Sequence, residues 1–141
     1  MWRLLPRIPG GKYLFQQLLE AGMEENKAVR HQDTCMVFAT PNELCRYRAG
    51  SFSSKEPDTL TWLEGIPQDA VLWDVGANVG LYSIYAAKKG ARVFAFEPSV
   101  FNLELLARNI FMNGLHGNIT IVPVALSNDI GPSLFKMSTT A

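Results

Sequence analysis

Residues 71–83 read Val-Leu-Trp-Asp-Val-Gly-Ala-Asn-Val-Gly-Leu-Tyr-Ser, and this stretch decides the fold of the chain. Its first part, Val71 to Val75, predicts a parallel strand covered on both faces, because its apolar residues fall on both sides of the chain. Gly76 and Gly80 then predict a turn that lets the backbone approach a ligand, followed at once by a helix. The first helical amides would point at the crevice beyond the strand's carboxyl end, where open α/β sheets bind ligands.

Asp74 narrows the kind of ligand that this turn favours. It lies at the carboxyl end of the predicted strand, two residues before Gly76. A carboxylate there repels a pyrophosphate, whereas it favours a ligand with positive charge. The spacing Asp-x-Gly-x-Asn-x-Gly also differs from the Gly-x-Gly-x-x-Gly of dinucleotide sites. It resembles the first motif of the S-adenosylmethionine-dependent methyltransferases, acidic-x-Gly-x-Gly-x-Gly, with Asn78 in place of the middle glycine; asparagine is among the few residues that tolerate a positive φ.

A second acidic residue, Glu97, lies 21 residues after Gly76, at the end of a predicted strand from Arg92 to Phe96. An acidic residue at about this separation is placed to accept hydrogen bonds from ribose hydroxyls. Glu97 alone does not separate a nicotinamide-dinucleotide site from an S-adenosylmethionine site, and a surface acid that precedes a proline is the plain alternative. Together with Asp74, it favours S-adenosylmethionine.

Strands and helices alternate after residue 69, which predicts a parallel sheet with right-handed crossovers. A third strand is predicted from Ile119 to Val124 and a short extra strand from Ser133 to Met137. Ala125 and Leu126 follow the third strand and are candidates to flank an adenine. The helix before that strand has its apolar residues at helical spacing: Leu103, Leu106, Ala107, Ile110 and Phe111.

The first 68 residues predict an N-terminal extension of helix and hairpin, before a second unit that comprises residues 69–141. Tyr13 to Ala21 predicts a short helix, with Leu14, Phe15, Leu18 and Leu19 on one side. Cys35 to Ala39 and Leu44 to Arg48 predict the two strands of a hairpin that turns at Pro41-Asn42. Arg46 and Arg48 would then form a solvated strand face, or alternatively meet an acidic substrate.

Pro57 favours the first turn of a helix, and Asp58 in that turn suits the helix dipole. Lys55 and Glu56, just before it, would either cap the cofactor from this side or merely begin the helix.

Composition excludes several classes of protein. The 141 residues are 48% hydrophobic, which suits one domain or part of one, and Lys plus Arg equals Asp plus Glu at 13 each. This balance argues against a strongly basic nucleic-acid surface, and no apolar run is long enough to span a membrane. Cys35 and Cys45 have no metal-ligand spacing and suit a reducing compartment. We therefore expect a cytoplasmic protein without a metal site.

Five stretches together resemble the FkbM family of methyltransferases: Lys-Glu-Pro-Asp-Thr-Leu (55–60), Asp-Val-Gly-Ala-Asn-Val-Gly-Leu-Tyr-Ser (74–83), Phe-Glu-Pro-Ser (96–99), Arg-Asn-Ile-Phe-Met-Asn-Gly (108–114) and Val-Ala-Leu-Ser-Asn (124–128). The resemblance implies a Rossmann-like, S-adenosylmethionine-dependent enzyme that methylates an oxygen of a sugar, a polyketide or a similar small-molecule or glycan acceptor. Carried over to this sequence, the family's cofactor wall comprises Asp74, Gly76, Ala77, Asn78, Gly80 and Glu97.

The chain ends at Ala141, before the later strands of that family. The fold class expected is therefore α/β: the Rossmann-like parallel sheet of class I methyltransferases, truncated after the third to fourth strand, with an N-terminal helix and hairpin extension. Two alternatives stay open, an NAD-type oxidoreductase half-domain and a non-catalytic truncated fragment that pairs through its open sheet edge. His31 and His116 stand alone in polar contexts, so no general base and no catalytic residue is identified.

Overall fold

The computed structural model describes residues 9–129, 131, 132 and 134. In this part of the chain the elements are α1 (Gly11–Met23), β1 (Asn26–His31), β2 (Thr34–Ala39), α2 (Glu43–Gly50), α3 (Phe52–Lys55), α4 (Pro57–Glu64), β3 (Val71–Val75), α5 (Leu81–Lys88), β4 (Arg92–Phe96), α6 (Val100–Met112) and β5 (Ile119–Val122). β1 and β2 form an antiparallel hairpin, and β3, β4 and β5 form a parallel sheet in that order. The α/β prediction is confirmed. The strand predicted from Ser133 to Met137 rests on residues 133 and 135–137, which lie outside the described residues.

The register of the parallel sheet brings the two predicted acidic positions to one edge. Asp74 pairs with Ala95, and Val75 pairs with Phe96, so Glu97 follows directly at the end of β4. Because parallel strands end on the same side of a sheet, the turn after β3 and the residues after β4 meet there.

One face of the sheet is covered and the other is open in the described part of the chain. Leu72 packs against the hydrophobic core, and α5 lies against this face, with Ile84 and Tyr85 fully buried. On the opposite face Val71, Trp73 and Val75 are exposed by 53%, 62% and 59%. The prediction that β3 is covered on both faces is therefore wrong for the described residues.

The hairpin lies earlier in the chain than predicted. β1 and β2 pair from Asn26 opposite Ala39 to His31 opposite Thr34, and the chain turns between them. The predicted turn at Pro41-Asn42 and the predicted strand from Leu44 to Arg48 are wrong, because Asn42 is the N-cap of α2: its side-chain oxygen accepts a hydrogen bond from the Cys45 amide at 2.9 Å. The sequence pattern did not predict β1, because its residues are mostly polar and exposed.

The buried face of α6 is partly polar, unlike the predicted stripe. Phe111 is 80% exposed, whereas Asn109 is fully buried. Asn109 accepts a hydrogen bond from the Ala39 amide and donates one to the Val79 carbonyl, both at 2.7 Å. Asn113 likewise accepts a hydrogen bond from the Val37 amide at 3.0 Å and donates one to the Val37 carbonyl at 2.7 Å. Two asparagines thus attach the edge of the hairpin to α6.

α1 begins two residues before and ends two residues after the predicted helix from Tyr13 to Ala21. Leu14, Leu18 and Leu19, predicted on one side of it, are each about half exposed, at 49%, 47% and 53%. Among the described residues, no helix combines the length and the apolar character that crossing a membrane requires.

Replacing Asn109 tests its part in attaching the hairpin. We expect Asn109→Ala to lower the free energy of unfolding by about 2–4 kcal/mol, because the Ala39 amide and the Val79 carbonyl lose buried hydrogen bonds. Urea unfolding followed by circular dichroism measures this change. Asn102→Ala, a half-buried asparagine of α6 that bonds neither backbone group, is the matched control. Equal losses in the two variants would contradict the assignment.

Candidate cofactor site

The turn between β3 and α5 is built from three residues in the left-handed region. The φ angles of Gly76, Asn78 and Gly80 are 81°, 54° and 84°. The amides of Gly76 and Ala77 donate to the Phe96 carbonyl at 2.9 and 3.0 Å, which folds the turn onto the end of β4. A Cβ on Gly80 would clash with the side chain of Leu106 on α6. Glycine is therefore needed there both for its φ angle and for helix packing.

Asn78 is held from two sides. Its amide donates to Oε2 of Glu97 at 2.8 Å, and its Oδ1 accepts a hydrogen bond from Nη1 of Arg48 at 2.8 Å. The prediction that asparagine adopts a positive φ at this position is confirmed, and the side chain adds an acceptor that glycine lacks. Sequence reasoning assigned Arg48 to a strand face, whereas α2 carries it to the turn.

Asp74 is hydrogen bonded to the first turn of the helix that follows it. Its Oδ2 accepts a hydrogen bond from the Ser83 hydroxyl at 2.5 Å. Burial raises the pKa of Asp74; the bonds from Ser83 oppose this shift, and the Glu97 charge adds to it. The N-terminus of α5 therefore already holds a carboxylate from its own chain, which disfavours a phosphate there.

Glu97 connects the glycine turn to the start of α6 through hydrogen bonds from two backbone amides. Its side chain is buried, and its Oε1 accepts a hydrogen bond from the Ser99 amide at 2.8 Å while Oε2 accepts the one from Asn78. Ser99 is the N-cap residue of α6, and its backbone amide rather than a side-chain cap bond connects it to Glu97. Glu97 does not line the cavity described next, so its contact with a ribose remains a prediction.

A cavity of about 180 Å³ lies at the turn. Four of the predicted cofactor residues line it together: Asp74, Gly76, Ala77 and Asn78. Lys55 and Glu56, considered from the sequence as caps for the cofactor, line it as well, and so does Arg48. Gly80 is not among the residues that line the cavity, but it lets the turn pack against Leu106 of α6.

Tyr82 is a further lining residue that sequence reasoning missed. Burial and the charge of the adjacent Glu56 carboxylate raise the pKa of Tyr82 to about 12. Its phenol is therefore neutral at physiological pH. Its only signal in the sequence is its place in the first turn of a helix after the glycine turn.

Ala125 and Leu126 line a second depression of about 230 Å³, with Val124 and Phe96. Gly76 lines both this depression and the cavity that contains Asp74. Ala125 and Leu126, which are predicted to flank an adenine, therefore lie in one depression, and Asp74 lies in the other cavity. The two are adjacent at Gly76. Within the described residues, no group of three or more His, Cys, Asp or Glu side chains is arranged to hold a metal ion.

Comparison with known proteins gives the following relatives. No family profile matches the chain. It is 31% identical over 71 residues to the methyltransferase sdnD of Sordaria araneosa, covering 49% of this chain and 27% of that protein. It is 36% identical over 76 residues to the hexuronic acid methyltransferase AglP of Haloferax volcanii, covering 54% of this chain and 30% of that protein. The chain therefore spans less than a third of the length of these relatives.

A solved structure with the same fold is the S-adenosylmethionine-dependent methyltransferase of Agrobacterium tumefaciens. Its TM-score is 0.52 at 18% identity, over 70% of this chain and 32% of that protein. The described residues thus have the Rossmann-like fold of the class I methyltransferases and include three strands of its parallel sheet.

Asp74→Asn tests the electrostatics of the site. Burial raises the folded-state pKa of Asp74 above its unfolded value, so its contribution to stability is present at low pH and is lost as the pH rises through the folded pKa. We expect Asp74→Asn, which cannot ionise, to have a higher free energy of unfolding than the wild type at neutral pH. The gap should close as the pH falls towards about 3.9, the ordinary pKa of an aspartate. Urea unfolding across this range measures it.

Asp33→Asn is the matched control with the opposite sign. The Lys89 charge lowers the pKa of Asp33, so its ionised form favours folding, and this contribution is lost as the pH falls through the folded pKa. A loss of stability at neutral pH in both variants would contradict the sign assigned to Asp74.

Proposed function

We propose that this chain forms the cofactor-binding part of an S-adenosylmethionine-dependent methyltransferase of the FkbM type. The observation that carries the proposal is the position of Asp74, whose carboxylate accepts a hydrogen bond from Ser83 of α5 and lines the same cavity as Gly76, Ala77 and Asn78. A half-buried carboxylate at this point suits a cationic ligand. Two methyltransferase relatives and the shared fold support the same assignment.

The residues present fit the cofactor. S-adenosylmethionine supplies a methyl group already activated on a sulfonium, so the protein mainly binds and aligns. Asp74 and Glu56 place negative charge on the cavity wall, and the buried Phe52 excludes water beside them. Ala125 and Leu126 offer an apolar surface for an adenine, next to the same glycine turn.

The oxidoreductase alternative is weaker because a dinucleotide needs the N-terminus of a helix for its pyrophosphate. The Asp74 carboxylate lies beside the first turn of α5, where it accepts a hydrogen bond from the Ser83 hydroxyl and would repel a phosphate. The alternative of a non-catalytic fragment draws support from β3, which is an edge strand within the described residues and whose open face carries the exposed Trp73. Self-association through this edge remains a prediction, as do the division at residues 68 and 69 and the cytoplasmic location.

We propose an oxygen of a sugar, a polyketide or a related glycan as the methyl acceptor. The name of the AglP relative, a hexuronic acid methyltransferase, supports this class. The zero net charge argues against a nucleic-acid acceptor. This argument is weaker, because a local basic patch can still bind nucleic acid.

Titration calorimetry with S-adenosylhomocysteine tests the cofactor assignment. We expect saturable binding by the folded wild-type chain and about tenfold weaker binding by Asp74→Ala, which loses a charged partner. Asp33→Ala, an aspartate in another depression, should bind like the wild type. If the folded chain binds NADH but not S-adenosylhomocysteine, the oxidoreductase alternative replaces this proposal.

Transfer of a labelled methyl group tests the acceptor. The chain is incubated with tritiated S-adenosylmethionine and with a glucuronic-acid oligosaccharide, a hydroxylated polyketide or transfer RNA. We expect label in the oligosaccharide or the polyketide. Label in transfer RNA alone would contradict the acceptor class, and a chain that binds the cofactor but labels none of the three would favour the non-catalytic alternative.

A further inference from the structure

Ser53, His31 and Glu64 form a chain of hydrogen bonds outside the cofactor cavity. Nδ1 of His31 lies 2.9 Å from the Ser53 hydroxyl, and Nε2 of His31 lies 3.2 Å from Oε1 of Glu64. The three residues come from different elements, the ends of β1 and α4 and the short helix α3, and none of them lines the cavity at the glycine turn. The expectation from the sequence that His31 stands alone in a polar context is therefore wrong.

The chemistry of Glu64 places the protons of this chain. Its Oε1 also accepts a hydrogen bond from the Gln32 side-chain amide, and the bonds from Gln32 and His31 lower the pKa of Glu64. The carboxylate is therefore ionised at neutral pH and can only accept, so Nε2 of His31 carries the proton between them. In the neutral imidazole Nδ1 then has a free electron pair, and the Ser53 hydroxyl donates its hydrogen bond to this nitrogen.

Packing holds His31 in this orientation. Its side chain is 15% exposed, and its ring makes edge contacts with the rings of Phe52 and Tyr85 at centroid distances of 5.7 and 5.4 Å. Both of these aromatic side chains are buried in the core. Ser53, by contrast, is exposed, so a molecule in solution can reach its hydroxyl. A base in a fixed position beside an accessible hydroxyl is the arrangement that activates a serine as a nucleophile.

We propose that Ser53 is a nucleophile that accepts an acyl group from an activated carboxylic ester. Its oxygen attacks the carbonyl carbon of the ester, and its proton passes to Nδ1 of His31. The bond to the alkoxy oxygen of the ester then breaks and His31 returns the proton to this oxygen, so an alcohol leaves and an acyl ester of Ser53 remains. Glu64 is a positioning residue, because its charge keeps a proton on Nε2 and stabilises the imidazolium. This reaction is separate from methyl transfer and does not rest on the proposed function.

A purely structural role is the competing explanation, because the same hydrogen bonds attach the end of β1 to α3 and α4. The two roles differ in reactivity, since bonds that serve only structure leave Ser53 no more reactive than another exposed serine. Ser54 offers this comparison within the same helix. It is exposed, and its hydroxyl donates to the Ser51 carbonyl at 3.2 Å instead of to a histidine.

Reaction with p-nitrophenyl acetate, followed by peptide mass spectrometry, tests the proposal. We expect an acetyl group on Ser53, with one p-nitrophenol released for each acetyl group gained. The rate of acetylation at Ser53 should exceed that at Ser54 by about 100-fold, which is the smallest rate advantage typical of a positioned general base.

Three variants complete the test. Ser54→Ala should leave the rate at Ser53 unchanged, and His31→Gln should lower it to the rate of Ser54. Glu64→Gln keeps an oxygen that can accept from Nε2 but removes the charge, so we expect about tenfold slower acetylation of Ser53 with an unchanged circular dichroism spectrum. This variant keeps the test available if His31→Gln fails to fold.

The outcomes are distinct. Equal acetylation of Ser53 and Ser54 in the wild type, or a rate at Ser53 that the folded His31 and Glu64 variants leave unchanged, overturns the inference and favours the structural role. Neither result bears on the proposed function, which binding of S-adenosylhomocysteine tests separately.

Discussion

The left-handed conformation of Asn78 is the constraint on which the site depends. This residue has a φ of 54°, and its neighbours hold it there through Glu97 on its amide and Arg48 on its side chain. Asn109 holds the adjacent Val79 carbonyl from α6. Three separate parts of the chain thus converge on one turn, so the shape of the cavity depends on tertiary contacts as well as on local sequence.

The N-terminal segment is part of the site as a consequence. α2 supplies Arg48, and Lys55 and Glu56 follow at the end of α3, so the cavity wall opposite the glycine turn comes from residues before β3. Phe52 connects this wall to the core, since its ring lies 5.7 Å from that of Tyr82 and 5.6 Å from that of Tyr85. Packing energy from the core therefore helps to position charged groups at the surface of the cavity.

The site also shows how binding opposes stability. Burial raises the pKa of Asp74, which means that the ionised carboxylate is unfavourable in the folded protein at neutral pH. A cationic ligand would relieve this cost, whereas the hydrogen bonds from Ser83 offset it only in part. The same reasoning applies to Arg48, whose half-buried guanidinium bonds Asn78 but has no carboxylate within ion-pair distance among the described residues.

The sequence by itself determined the parallel sheet, the glycine turn and the position of Asp74, because hydrophobic periodicity and glycine spacing are local signals. It was wrong about the hairpin, since β1 is polar. It predicted α6 and the burial of Leu106 and Ile110, but not that Phe111 is exposed or that Asn109 is buried, where it bonds backbone groups of other elements. Only the tertiary structure decided that Arg48 reaches the turn and that Glu97 lies beneath it. Such contacts join residues distant in the chain, and neither composition nor periodicity encodes which polar side chains will meet.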